Sequence, residues 1–164
     1  MDRTPAANVT FDTGGPVQPN QATTLRFTVT DARSGQPTYA EEAHEAEMHL
    51  IVVSRDLGYF SHVHPQRAAQ TGVYEITHTF PAPGDYVLYD EFELEGYGDE
   101  VHHFDLQVGG QGSAPAQLRR DISPKLVNGY DVSIRPTGDL RAGQPSGFVV
   151  TVTRDGQPVT DLEP

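Results

Sequence analysis

Glycine and proline interrupt this chain so often that only short extended segments fit between them. The 164 residues include 16 glycines and 13 prolines, and the apolar residues lie in short runs between these positions. Proline breaks a helix because it lacks the backbone N–H, and both residues favour turns. The pattern is therefore typical of an all-β protein with many turns.

Alternation of apolar and polar residues places the strands. Within Thr23–Asp31, the side chains of Leu25, Phe27 and Val29 share one face. We predict strands at Asn8–Asp12, Thr23–Asp31, Met48–Ser54, Tyr59–His64, Gly72–Phe80, Asp85–Leu94 and Val101–Val108. About seven strands over about a hundred residues are typical of an immunoglobulin-like antiparallel β-sandwich. Between the second and third strands, the Ala- and Glu-rich stretch Tyr39–Glu47 predicts a loop or a single turn.

The end of the chain repeats its beginning. A segment starting at Val9 runs through a second strand to Gly-Gln-Pro at 35–37, and a segment starting at Val132 does the same up to 156–158. We predict a sandwich at 1–108, a flexible linker at 109–120 and the first strands of a second, incomplete sandwich repeat at 121–164. An isolated strand pair leaves its apolar face exposed. We therefore expect that the sequence breaks off inside this repeat, or that its strands complete a sheet in the first domain, in a protein partner or in a second copy.

Charge and cysteine content exclude several classes of function. The net charge is −12, with 23 acidic and 11 basic side chains, which argues against nucleic acid and anionic lipid as partners. No stretch approaches the roughly 20 apolar residues that span a bilayer, so we expect no membrane insertion. The chain has no cysteine, which excludes disulfides and thiolate metal sites. These features favour an extracytoplasmic bacterial protein that is secreted, periplasmic or in the cell envelope. The N-terminus lacks the apolar core of a signal peptide, so we expect that the leader of a secreted protein has been removed.

Histidines form the most informative motif. His62 and His64 are two residues apart before Pro65, so on a strand both rings point to one face, with Cα atoms about 6.5–7 Å apart. His49 lies in an otherwise apolar strand, and the short connection 55–58 predicts a hairpin that brings His64 level with His49. We predict three imidazoles near one end of a sheet as metal ligands. The alternatives are a hydrogen-bonded structural cluster and histidines at unrelated positions.

Three further residues are candidates for the same site. Glu91 shares the face of Val87 and Tyr89 and is predicted either to bind the ion or to orient an imidazole; the alternative is a solvated acidic strand. His102 is the better candidate of the pair at 102–103, because Phe104, Leu106 and Val108 put its face inward. The thioether of Met48 would favour Cu(I), although alternation puts it on the opposite face from His49. Imidazole suits several metals, and we expect copper first, with zinc possible.

The motifs resemble those of a known family. The stretches Glu47–Leu57, Phe60–Pro65 and Phe80–Phe92, with Met-His-Leu followed by His-X-His-Pro, are similar to those of the YtkA-like family. The resemblance covers about residues 8–108. It implies a secreted or membrane-tethered bacterial domain with an immunoglobulin-like or CopC-like sandwich, in proteins associated with copper or other heavy-metal handling. It also implies that His49, His62 and His64 carry the site and that Glu91 stands at an acidic position.

Two functions follow as hypotheses. The first is an extracytoplasmic module that binds or delivers a transition metal; the alternative is a structural or adhesion spacer whose histidines hold a corner together. An enzyme is not expected. A cupin-type site requires a glutamate a few residues after the His-X-His pair, and residues 66–70 contain no acidic side chain. The sequence also shows no nucleophile–base arrangement and no glycine-rich phosphate loop.

Overall fold

A computed structural model describes residues 5–43, 45–110, 112 and 121–162. The chain divides between Ala116 and Gln117 into two compact units. Every element among the described residues is a strand, and all strand pairs are antiparallel. In this part of the chain there is no helix with the length and apolar character that a membrane crossing requires.

The first unit is a two-sheet sandwich. Its strands are β1 (Ala7–Asp12), β2 (Ala22–Asp31), β3 (His49–Ser54), β4 (Phe60–Val63), β5 (Gln66–Arg67), β6 (Val73–Thr79), β7 (Gly84–Leu94) and β8 (Gly98–Val108). One sheet has the order β1-β2-β6-β5 and the other β4-β3-β7-β8. This is the strand arrangement of immunoglobulin-like domains, so the predicted fold class is confirmed. The structure adds one element that was not predicted, the two-residue strand β5.

Alternation along the strands builds the core between the two sheets. The inward side chains of both sheets are fully or almost fully buried, among them Leu25, Phe27, Val29, Leu50, Val52, Tyr74, Tyr86, Leu88, Phe92 and Val108. Each sheet thus removes one apolar face from water, which is the main stabilising contribution in such a fold. The other face of the sheet β4-β3-β7-β8 remains on the outside.

Two local features fix the path of the chain near the strand ends. Pro65 lies between β4 of one sheet and β5 of the other, and proline cannot donate the hydrogen bond that would extend β4. At the start of β7, the Tyr86 hydroxyl donates to the carbonyl oxygen of Ala82 at 2.8 Å. A tyrosine bonded to the backbone just upstream at this corner is a hallmark of immunoglobulin-like sandwiches.

The second unit is one four-stranded sheet. It contains β9 (Lys125–Val127), β10 (Tyr130–Pro136), β11 (Phe148–Arg154) and β12 (Gln157–Pro158), in the order β12-β11-β10-β9. The pairs Val132↔Val152 and Ile134↔Val150 repeat the register of Val9↔Val29 and Phe11↔Phe27 in the first unit. In contrast to Phe27, which is completely buried, Val150 is 58% exposed.

Candidate metal centre

Three imidazoles meet on the outer face of the first sandwich. The register pairs Leu50 with Val63 and Ile51 with His62, so His64 emerges from the end of β4 opposite His49 on β3. One nitrogen from each of His49, His62 and His64 lies within 4.8 Å of the other two. Ring centroids are 4.8 Å apart for His49 and His64 and 4.9 Å apart for His62 and His64. We call these three residues the His triad.

The tautomer of His49 is set by its surroundings. Its Nε2 lies 3.0 Å from the carbonyl oxygen of Ala43, and because a carbonyl only accepts, Nε2 carries the proton. The lone pair is then on Nδ1, which accepts a hydrogen bond of 3.2 Å from Nε2–H of His62. A backbone carbonyl that holds the far nitrogen of an imidazole is the usual device for orienting a metal-bound histidine. His49 is therefore prepared to bind an ion through Nδ1.

The surroundings of His64 favour the neutral form of its ring, which is the form that coordination needs. Partial desolvation, followed by the neighbouring rings of His49 and His62, lowers the pKa of the exposed His64 from its ordinary value of 6.5. Because its pKa is lowered, the ring of His64 is still mostly unprotonated at a pH just below the ordinary value of 6.5. Since a metal ion competes with protons for the same nitrogen, His64 is available as a ligand at neutral pH.

A hydrogen-bond network anchors the loop that carries Ala43. Tyr74 is fully buried, and its hydroxyl accepts from the N–H of Ala40 and donates to Glu47 Oε2, both at 2.9 Å. Arg67 closes the network by donating from Nε to the same carboxylate oxygen at 2.5 Å. Burial raises the pKa of Tyr74 to about 12, so this hydroxyl keeps its proton. The network links the core to the loop that orients His49.

Tyr74→Phe is expected to loosen this loop. The buried N–H of Ala40 would lose its partner, which costs about 1–3 kcal/mol of unfolding free energy. For an ion held by the His triad, weaker support of Ala43 should also lower the affinity by about tenfold, the lower end for loss of an outer-shell contact. Urea unfolding and isothermal titration with Cu(II) measure the two effects. Tyr89→Phe is the control, because Tyr89 is 41% exposed on the outer face; equal results for the two variants would contradict the role given to Tyr74.

The structure places Glu91 beside the His triad but not within it. Glu91 is the Cα partner of His49 across β3 and β7. It is exposed on the outer face and lines the same hollow as His49 and His62. Its oxygens do not belong to the set of ligand atoms within 4.8 Å. Glu91 is thus a neighbour of the His triad in the same hollow.

Met48 and His102 do not join the His triad, which corrects the prediction for both. Met48 is completely buried in the core, on the opposite side of the sheet from His49, because consecutive strand residues alternate. His102 pairs with Asp90 on the inner face of β7 and β8. His44 lies outside the described residues. Conversely, the carbonyl of Ala43 was not predicted, since a backbone group leaves no signal in the sequence.

Comparison with known proteins gives a family but no activity. No curated protein matches the chain. The family model described as "Domain of unknown function (DUF8832)" matches residues 3–110, which is more than half of the sequence and includes the whole His triad. The chain therefore belongs to the DUF8832 family.

Proposed function

We propose that this protein binds one transition-metal ion at the His triad, copper first and zinc as the alternative ion, as a non-enzymatic binding or chaperone-type module outside the cytoplasm. The observation that carries the proposal is the convergence of three imidazole nitrogens within 4.8 Å. The orienting contact from Ala43 to His49 supports it, and so does the resemblance to the YtkA-like family.

The ligand set favours Cu(II) or Zn(II) over Cu(I). Thiolates are excluded by the lack of cysteine, and the thioether of Met48 is buried on the other side of the sheet. Three imidazoles suit borderline ions. They leave a further coordination position that water, Glu91 or a group from a partner can fill. Because His62 and His64 are exposed, an ion at this site remains within reach of a protein that delivers or removes it.

A structural spacer is the second candidate, and the hydrogen bond between His62 and His49 favours it. In this reading the imidazoles hold the end of β4 against β3 without any ion. Such a bond contributes about 0.5–1.5 kcal/mol to stability. Removing the imidazoles distinguishes the two functions. A spacer would become less stable whether or not metal is present, whereas a metal-binding module would lose its bound ion.

Titration with Cu(II), followed by electron paramagnetic resonance and calorimetry, tests the proposal. We expect the parent to bind one Cu(II) per chain at the His triad with nitrogen hyperfine coupling from three imidazoles. The variant His62→Ala/His64→Ala should bind this ion at least about 100-fold more weakly, because removing ligands exceeds the 10–100-fold loss seen for outer-shell groups. His103→Ala is the matched control, since His103 is exposed on the same outer face but does not belong to the His triad.

The result that would overturn the proposal is equal Cu(II) affinity in the parent and the double variant. Equal stability losses for the double variant with and without Cu(II), combined with no ion bound by the parent, would leave the spacer function.

A further inference from the structure

A second polar cluster lies on the inner face of the sheet that carries the His triad. Asp90 on β7 and His102 on β8 are Cα partners, and the next pair toward the β7–β8 turn with the same orientation is Phe92 and Glu100. The side chains of Asp90, Glu100 and His102 therefore point between the sheets. Asp90 is completely buried, and the side chains of Glu100 and His102 are only 8% and 17% exposed.

The unsatisfied polar atoms of the described residues are concentrated in this cluster. The buried side-chain atoms without a hydrogen-bond partner in the described part of the chain are both carboxylate oxygens of Asp90 and Nε2 of His102. An unpaired buried polar group costs about 1–3 kcal/mol, more if it is charged, and nearly all such groups in native proteins have a partner. The unpaired atoms belong to two Cα-paired residues, which makes this cluster the strongest candidate for a bound ligand inside the sandwich.

Glu100 extends the cluster toward the same point. Its Oε1 accepts a hydrogen bond of 3.0 Å from the N–H of Ala6, which fixes the carboxylate. Its Oε2 lies 3.7 Å from His102 Nε2, too far for a hydrogen bond but close to the separation of two ligands that each lie about 2.1 Å from one ion. The ring of His102 is held parallel to that of Phe92, at 7° and 5.7 Å between centroids.

We propose that Asp90, Glu100 and His102 form a second metal site, selective for a divalent ion that accepts both carboxylate and imidazole ligands, such as Zn²⁺ or Mn²⁺. Two carboxylates balance the charge of a divalent ion, and neither of them forms an ion pair with a lysine or arginine among the described residues. The site lies on the other face of the sheet from the His triad, so it does not depend on the function proposed above.

Ion binding requires a rearrangement of the Asp90 side chain. Unlike the His triad, the three ligand atoms of this cluster do not all lie within 4.8 Å of one another. The ion must therefore draw the Asp90 carboxylate toward Glu100 and His102. The competing explanation is a buried water or a proton shared by Asp90 and His102, which satisfies the same atoms without any metal.

Zinc binding in the absence of the His triad tests the site. Metal-free His62→Ala/His64→Ala protein is dialysed against Zn²⁺, and the bound zinc is measured by elemental analysis together with the shift in melting temperature. We expect one zinc per chain and a raised melting temperature. Adding Asp90→Asn should weaken zinc binding by at least about 100-fold, and adding His102→Gln should do the same. Adding Asp85→Asn is the matched control, because Asp85 lies on the same strand β7 but is exposed on the outer face, and it should change nothing.

Two outcomes overturn the inner site: no zinc on the folded double variant, or zinc binding that Asp90→Asn and His102→Gln leave unchanged. Circular dichroism of each variant shows whether it is folded. A double variant without zinc, combined with a parent that binds one ion at the His triad, rejects the inner site alone. If the parent and the double variant each bind one zinc, and Asp90→Asn removes that zinc, the inner site holds the ion. That result rejects the His triad as the zinc site.

Discussion

Replacing Asp90 by asparagine should stabilise the metal-free protein by up to about 4 kcal/mol at about pH 8, with little effect near pH 4. Burial raises the pKa of Asp90 from 3.8 to about 7, although the N–H groups of Asp90 and His102 oppose part of the shift. Neither carboxylate oxygen has a partner with hydrogen-bond geometry. The free energy that corresponds to this pKa difference is about 4 kcal/mol, and the complete burial of the side chain means that solvent screens little of it.

The direction of the pH dependence follows from proton binding. The pKa of Asp90 is 3.8 in the unfolded chain and about 7 in the folded one. Between these values the unfolded state binds fewer protons, so this residue makes the folded state progressively less stable as the pH rises, and the penalty is complete above about pH 7. An asparagine side chain has no proton to lose, so the variant lacks this part of the pH dependence.

Urea unfolding in the presence of EDTA, at several pH values, measures the effect. The quantity of interest is the difference between parent and Asp90→Asn, because other carboxylates contribute equally to both curves. Glu91→Gln serves as control, since Glu91 is exposed. Parallel curves for the parent and Asp90→Asn would show that the Asp90 carboxylate is already compensated in the folded protein.

Features set by neighbouring residues in the chain were accessible from the sequence. Apolar alternation, as in Leu25, Phe27 and Val29, gave the strands and their inner faces, since the strand period is two. The His triad was predictable for the same reason: His62 and His64 share a face by spacing, and a short hairpin sets their register against His49.

Features that depend on packing between distant segments were not accessible from the sequence. The strand Gln66–Arg67 is too short to show alternation, and it exists because β6 lies beside it. Met48 and His102 were proposed as ligands although alternation already placed Met48 opposite His49 and turned the face of His102 inward, and the structure buries Met48 in the core and places His102 on the inner face of β8. Asp90 falls between the inward residues Leu88 and Phe92, but an acid at a buried position runs against the usual rule that carboxylates face water, and its burial was not predicted.

Phe27→Ala should destabilise the first unit by about 3–5 kcal/mol, the range for loss of a buried phenylalanine. Phe27 is completely buried, with ring centroids 5.1 Å from Phe11 on β1 and 5.9 Å from Phe104 on β8, so its removal leaves a cavity between the two sheets. Phe60→Ala is the matched control: Phe60 is 66% exposed on β4, and its truncation should change stability by no more than about 0.5 kcal/mol.

The variant Phe27→Ala also tests whether metal binding at the His triad stabilises the fold of the first unit. An ion that binds only the folded state adds about 2.7 kcal/mol of stability when its concentration is about 100 times the dissociation constant. Cu(II) should therefore restore a large part of what Phe27→Ala loses, and it should restore much less in a Phe27→Ala protein that also lacks His62 and His64. Because the two units can unfold separately, the transition is followed through the NMR signals of Tyr74 and Tyr86, which belong to the core of the first unit. Equal rescue with and without the two histidines would mean that Cu(II) stabilises the sandwich from somewhere other than the His triad.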